Sequence, residues 1–264
     1  MSLRVGGFQK NTLIDFPGVV ASLVFTQGCN FRCPYCHNPS LIPLYPHKTD
    51  SNKYNQIDPA YLQTNDYINL IDPSEVFEFL KKRKGLIDGV TITGGEPTLQ
   101  PQLASFCFRL KNMGLKVKVD TNGSRPDVVE QLLKRELVDF IAMDIKSNKI
   151  GYQKIAQKFD FLLILKSIKI IIKRSPAYEF RTTCVKPFLS KDVMHQIGEM
   201  IKGASSYVLQ HCSKNVEMLN LNFFQNFNVN NLPDFDDSFP FFSDDEFIEL
   251  KSIAEKYVQN CSIR

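Results

Sequence analysis

The sequence predicts an α/β fold built from parallel strand–helix units. Three observations predict it. Short β-branched runs alternate with helical patterns, the clearest helical patterns carry their own start and stop residues, and the chemically distinctive residues stand just after the strands. Pattern alone admits an open doubly wound sheet or a barrel, since both present the carboxyl ends of their strands as the working face.

The elements follow in order. "VVASLVFTQ" (19–27) is an apolar run of strand length that leads into "GCNFRCPYCHNP" (28–39). "DPSEVFEFLKKRKG" opens with Asp72 as N-cap, Pro73 at the first helical position and Glu75 three residues after the cap, and it stops at Gly85. "DGVTITGGEP" is a β-branched strand running into glycines. A helix from about residue 101 ends at Gly114, and "LKVKVDTNG" then alternates as a strand. A helix over 126–136 precedes the strand "VDFIAMDIK". Helical material runs through Lys173, followed by the strand "AYEFRTTCV", a helix over about 191–202 and the strand "SSYVLQHC". This gives six strands separated by helical segments, in one domain spanning 1–264.

Two segments break the rhythm. Residues 44–67 form a polar insertion with scattered tyrosines, which reads as a surface loop. The C-terminal segment from about 221 to 264 begins with an aromatic-rich stretch, "FFQNFNVNNLPDFDDSFPFF", whose apolar mass must pack on the fold or on a partner. Ser243 and Glu246 then form a capping box for a last helix, "DDEFIELKSIAEKYV".

With 264 residues, 43% of them hydrophobic, the chain can bury a sizeable core. A net charge of +4 with interspersed signs is not the clustered basic excess of a duplex nucleic-acid binder, so no nucleic-acid partner is expected. The N-terminus has no apolar stretch flanked by a cleavage site, and the most apolar run, "FLLILKSIKIII", is short and interrupted by two lysines. A cytoplasmic protein without a membrane partner is the expectation.

Of the seven cysteines, Cys107, Cys184, Cys212 and Cys261 are scattered singly and read as small buried hydrophobes. Cys29, Cys33 and Cys36 are different, falling in a C-x3-C-x2-C spacing on one loop. Structural zinc takes four ligands, usually as two paired knuckles, and no second pair exists here. Three thiolates on a [4Fe–4S] cluster would leave one iron free to bind a small molecule.

The C-x3-C-x2-C motif, with Tyr35 before its last cysteine, resembles the signature of the radical S-adenosylmethionine (SAM, AdoMet) superfamily, and "TGGEP" (93–97) resembles that superfamily's second motif. The stretch from Gly6 through Ile42 is similar to the opening of glycyl-radical-enzyme activating proteins. Within them it is most similar to activators of anaerobic ribonucleoside-triphosphate reductase; "DTNG", "MDIK" and "EFRTT" continue the likeness. The insertion over 44–67 and the aromatic C-terminal stretch depart from that compact pattern; the cysteine-rich insert that some other activators carry has no counterpart in this sequence, so a single cluster is expected.

The resemblance implies a partial (βα)6 TIM-like barrel of the radical SAM type, holding one [4Fe–4S] cluster on Cys29, Cys33 and Cys36. It implies an oxidoreductase that cleaves AdoMet reductively to a 5′-deoxyadenosyl radical and leaves a glycyl radical on a partner enzyme, with flavodoxin or ferredoxin as electron donor. Tyr35 and His37 would contact the adenine, Gly94 and Gly95 would admit the methionine end, and Glu96 would hold the loop or accept from the methionine ammonium. Lys146 would neutralise the AdoMet carboxylate, Asp144 would stand beside it, Arg181 would reach the ribose or carboxylate, and Gln210 or His211 would close over the adenosine. By the same analogy Asp120, Thr121 and Asp144 would bind a monovalent cation. Two other readings stay open at this level. One is a radical SAM enzyme acting on a small molecule, in the manner of a 7-carboxy-7-deazaguanine synthase. The other is a zinc or iron–sulfur interaction module without catalysis.

Overall fold

The structure is a computed structural model and describes residues 2–43, 70–156, 159–213, 218–220 and 240–264. The polar insertion at 44–67 and most of the aromatic stretch after 221 therefore lie outside the described residues.

One eight-stranded sheet organises the chain, its strands lying side by side in sequence order. They are β1 (Val5–Thr12), β2 (Ala21–Thr26), β3 (Gly89–Gly94), β4 (Lys116–Thr121), β5 (Phe140–Asp144), β6 (Tyr178–Cys184), β7 (Tyr207–His211) and β8 (Cys261–Ile263). β1 runs antiparallel to β2, and every later pairing from β2–β3 to β7–β8 is parallel. Among the described residues the two end strands of the sheet do not pair, so this is an open, partial α/β barrel.

The six expected strands are β2 to β7, and the edges are additions. β1 is not among the strands that the sequence pattern predicts. Its sequence, VGGFQKNT, has two glycines and its pairing with β2 is broken by register shifts, so it carries neither a clean alternation nor an apolar run. β8 is three residues long, below the length at which a pattern can be read.

Helices lie where their punctuation places them. Asp72 caps the helix Pro73–Lys82 by accepting from Ser74 N, and Gly85 beyond its end has φ +83°. The last helix, Asp244–Ala254, has the complete Ser243–Glu246 capping box. The interrupted apolar run forms the helix Leu162–Arg174, which buries Ile164, Ile168 and Ile171 on one face and leaves its lysines outward. No helix among the described residues is long and apolar enough to cross a membrane.

Alternation along the central strands sets up the site. Val117, Val119, Ile141, Met143 and Phe180 belong to the apolar core shared with the helices. A period of two sends Lys118, Asp120, Asp144, Glu179 and Arg181 to the opposite face of the sheet. Polar chemistry is thus stacked on one face of three adjacent strands.

Candidate active site at the carboxyl ends of the strands

An open cavity of about 900 Å³, its mouth included, lies over the carboxyl ends of β2 to β6. Cys29, Cys33 and Cys36 line it together with Tyr35, His37, Gly94, Gly95, Glu96, Asp120, Thr121, Asp144, Lys146 and Arg181. Nearly every residue singled out from the sequence therefore converges on one space. Gln210 is the exception: the cavity stops short of β7, and Thr183 on β6 forms that wall instead. His211 likewise does not line it; its ring stacks on Phe247 at 3.9 Å.

The cysteine loop is held by backbone–backbone bonds and by the side chains of Gln27, Arg32 and Gln100 donating to its carbonyls. Gly28 N donates to Leu41 O (2.7 Å), Cys29 N to Ile42 O (3.0 Å), Cys36 N to Cys33 O (3.0 Å) and Arg32 N to Ile155 O (2.9 Å). The turn after β3 is sewn to it by Gly95 N donating to Thr26 O (2.9 Å) and Glu96 N to Gly28 O (2.7 Å). This gives the two glycines a reason that the sequence reading did not supply. A Cβ on Gly94 would strike Thr26, at a φ of +108°, and one on Gly95 would strike the Gly28 carbonyl. They line the cavity, but what first demands glycine is the approach of the cysteine loop.

Glu96, which lines the cavity, also fixes a loop. It is buried, and its carboxylate accepts from Thr98 N (3.1 Å), the Thr98 hydroxyl, Thr121 Oγ1 (2.7 Å) and Asn122 N (2.7 Å). Burial raises its carboxyl above the ordinary range while these donors pull it down. Asn122 also donates to Asn30 (3.0 Å), tying "DTNG" to the cysteine loop.

On the other side stand charges. Arg181 donates to Asp144 Oδ1 (2.8 Å) and Asp120 Oδ2 (3.2 Å), Lys118 Nζ to Asp120 Oδ1 (2.6 Å), and Lys146 Nζ to Asp144 Oδ2 (2.9 Å). Burial alone would raise the Asp144 carboxyl, but Arg181 and Lys146 outweigh it and hold it well below the usual carboxylate range. Lys118 was not singled out from the sequence. Its signal was there: Lys118 and Asp120 alternate around Val119 as Asp144 and Lys146 do around Ile145.

The donor set fits an iron–sulfur cluster with an open iron. Three free cysteines share one cavity. Burial pushes the Cys29 thiol up to about 12 and Cys33 to about 11, so a cationic metal centre is needed to hold them as thiolates. No group of three or more His, Cys, Asp or Glu among the described residues has the geometry of a ready-made metal cage. The Tyr35 hydroxyl is buried in the cavity wall without a hydrogen-bond partner among the described residues. His37 is exposed at the rim, its Nε2 3.5 Å from Cys212 Sγ; burial of its ring and Lys146 lower its pKa. The remaining lone cysteines are buried, as expected.

A parallel α/β partial barrel, with three loop cysteines at the strand ends and a glycine turn packed on them, defines an enzyme that works through a metal cluster and a small bound cofactor. The chain belongs to the radical SAM superfamily, whose family model matches residues 23–193. The family implies one [4Fe–4S] cluster and S-adenosylmethionine, for which this cavity supplies the donors. Over its whole length the chain is 29% identical to a putative glycyl-radical enzyme activating enzyme of Methanocaldococcus jannaschii, covering 97% of that protein. It is also 29% identical to the pyruvate formate-lyase-activating enzyme of Clostridium pasteurianum, over 63% of this chain and 65% of that one, so it spans less than two thirds of this second relative. The fold is similar to that of TYW1 with a lysine–pyruvate adduct bound, at a TM-score of 0.55 and 15% identity, covering 90% of this chain and 75% of the other.

Proposed function

We propose that this radical SAM enzyme is an activase that takes a hydrogen atom from a glycine of a partner enzyme and leaves a glycyl radical there. The observation that carries the reading is the end-to-end similarity to a protein named as a glycyl-radical enzyme activating enzyme, over 100% of this chain. The finer partner is an anaerobic ribonucleoside-triphosphate reductase, a choice resting on the likeness of the opening 37 residues from Gly6 to Ile42. A low-potential donor, flavodoxin or ferredoxin, and a cytoplasmic setting complete it, with residues 1–264 acting as a single radical SAM domain.

Cys29, Cys33 and Cys36 would hold the cluster, and its fourth iron is left to AdoMet. Bound together, the two supply one-electron chemistry strong enough to take hydrogen from carbon. The chain's own residues bind and orient. Lys146, at the cavity wall, faces a ligand carboxylate by exchanging its bond to Asp144 for one to the ligand. Tyr35 and His37, which flank the last cysteine and line the cavity, stand toward the nucleoside. Gly94 and Gly95 bring β3 close to the cysteine loop, and Asp120, Asp144 and Arg181 line the cavity at the ends of β4 to β6. The cavity opens at the strand ends, which lets a peptide loop enter.

The test is anaerobic. Reconstituted, reduced protein is incubated with AdoMet and candidate glycyl radical enzymes, and the partner is examined by electron paramagnetic resonance. The expected result is a glycyl doublet on the reductase. AdoMet cleavage without a doublet on any candidate overturns the activase reading.

A further inference from the structure

The donor set at the ends of β4, β5 and β6 does not fit the monovalent cation that resemblance leads one to expect at Asp120, Thr121 and Asp144. Each of the four carboxylate oxygens already has a cationic partner within the chain: Lys118 at 2.6 Å and Arg181 at 3.2 Å for Asp120, Arg181 at 2.8 Å and Lys146 at 2.9 Å for Asp144. The Thr121 hydroxyl is turned away, donating to Glu96 (2.7 Å) and accepting from Gly123 N (3.1 Å). The negative charge is fully met as well. Lys118, Arg181, Lys146 and Arg264 face Asp120, Asp144 and Glu179, whose carboxylate lies 3.9 Å from Arg181 and 3.3 Å from Arg264.

A hard cation is drawn to converging oxygens whose negative charge is not otherwise met. Here an added ion would enter beside three side-chain cations in a partly buried cluster, where like charges repel strongly. Lys118 decides the matter. Its side chain is only 2% exposed, it points to Asp120 across one strand residue, and it lies 5.9 Å from the centre of the Phe140 ring. A lysine is almost never buried this far unless its charge is paired.

We infer that Lys118 is a built-in cation: its ammonium stands beside Asp120 where a bound alkali metal ion would otherwise stand, and completes the charge of the site without one. The consequence is a radical SAM enzyme whose cofactor pocket does not respond to alkali cations. This holds for whatever protein the enzyme acts on.

The test compares salts at equal ionic strength on the cluster-loaded protein: potassium, sodium and tetramethylammonium chloride, with melting temperature and AdoMet affinity by equilibrium dialysis as readouts. For the natural chain the three salts should give the same affinity and melting temperatures within about 1 °C, because a cation that bound the folded state would raise it saturably by mass action. Lys118→Met should create the dependence, with AdoMet bound about tenfold more tightly in potassium than in tetramethylammonium, a difference typical of coupled sites. A saturable, potassium- or sodium-specific rise in the natural chain overturns the inference, and so does a Lys118→Met protein indifferent to salt. If Lys118→Met does not fold in any salt, the natural chain's series decides alone: a specific rise refutes the built-in cation and none supports it.

Discussion

The two walls of the cavity are made in opposite ways. The wall of the cysteine loop and the β3 turn is held largely by bonds that end on main-chain atoms: main-chain pairs among Thr26, Gly28, Leu41, Ile42, Gly95 and Glu96, and the side chains of Gln27, Arg32 and Gln100 donating to carbonyls. The wall of β4 to β6 is held by side-chain charges on Lys118, Asp120, Asp144, Lys146 and Arg181. A backbone wall fixes atoms in place but offers little charge. A wall of exchangeable ion pairs can surrender one bond to an incoming carboxylate and keep the rest. The first suits a cluster that must not move, and the second suits a cofactor that comes and goes with each turnover. Glu96 joins them, its backbone on the cysteine loop and its carboxylate on Thr121 and Asn122.

The contrast breaks first at Gly95. Gly95→Ala places a methyl on the Gly28 carbonyl, and the atoms it meets are backbone, which cannot swing aside. The loop must shift, and the expected result is loss of most of the iron after anaerobic reconstitution, against about four irons per chain in the natural protein. Iron and sulfide analysis checks this, with circular dichroism to confirm that the sheet survives. An alanine variant with full iron content would mean that the backbone wall is not what positions the cysteines.

The charged wall should fail differently. Arg181→Met removes the group that bridges Asp120 and Asp144 and leaves Asp120 with Lys118 and Asp144 with Lys146. Breaking a buried pair from one side costs about 3–5 kcal/mol, and because the Asp144 side chain is 26% exposed we expect the lower end, about 3 kcal/mol in denaturant unfolding. Iron content should stay near that of the natural chain. If both stability and iron fall together, the two walls are one unit and the distinction drawn here is wrong.

That difference also explains what the sequence disclosed. The cysteine loop and "TGGEP" are contiguous, so spacing alone exposed them, and the helices announced themselves through Asp72, Gly85 and the Ser243–Glu246 box. The charged wall is assembled from three strands at sequence separations of 37 and 61 residues, where only register decides who meets whom: Asp144 lies opposite Arg181 in the β5–β6 ladder. Asp144 and Lys146 are legible as neighbours on one side of a single strand end; the bridging of Asp120 and Asp144 by Arg181 is not. Lys118 was passed over because it sits inside a strand among valines, where a lysine looks like the solvent-facing half of an alternation. β1 and β8 escaped because a glycine-bearing edge with a bulge and a three-residue strand carry too little pattern. Gln210 stands at a strand end, and the cavity ends one strand earlier.

The smallest effect is a slope. Asp144 has an ordinary carboxyl value of 3.8 and a folded one lowered below it, with burial opposing and Arg181 and Lys146 prevailing. A depressed carboxylate contributes stability that is complete above its unfolded value and is lost as pH falls through its folded value. In the natural chain, stability should therefore begin to fall as pH drops past about 4, with Asp144 adding up to about 1.4 kcal/mol per pH unit to the slope. Asp144→Asn keeps the shape of the side chain but cannot titrate. It should be less stable than the natural chain at pH 7, with the gap narrowing as the pH is lowered below 3.8. Denaturant unfolding of the two proteins between pH 7 and pH 3 measures that gap directly. A gap that stays constant over the whole range would mean that Asp144 holds the wall by shape and hydrogen bonding alone. The charged wall would then differ from the backbone wall only in which atoms it uses, since exchange of ion pairs with a cofactor carboxylate requires that its charges carry energy.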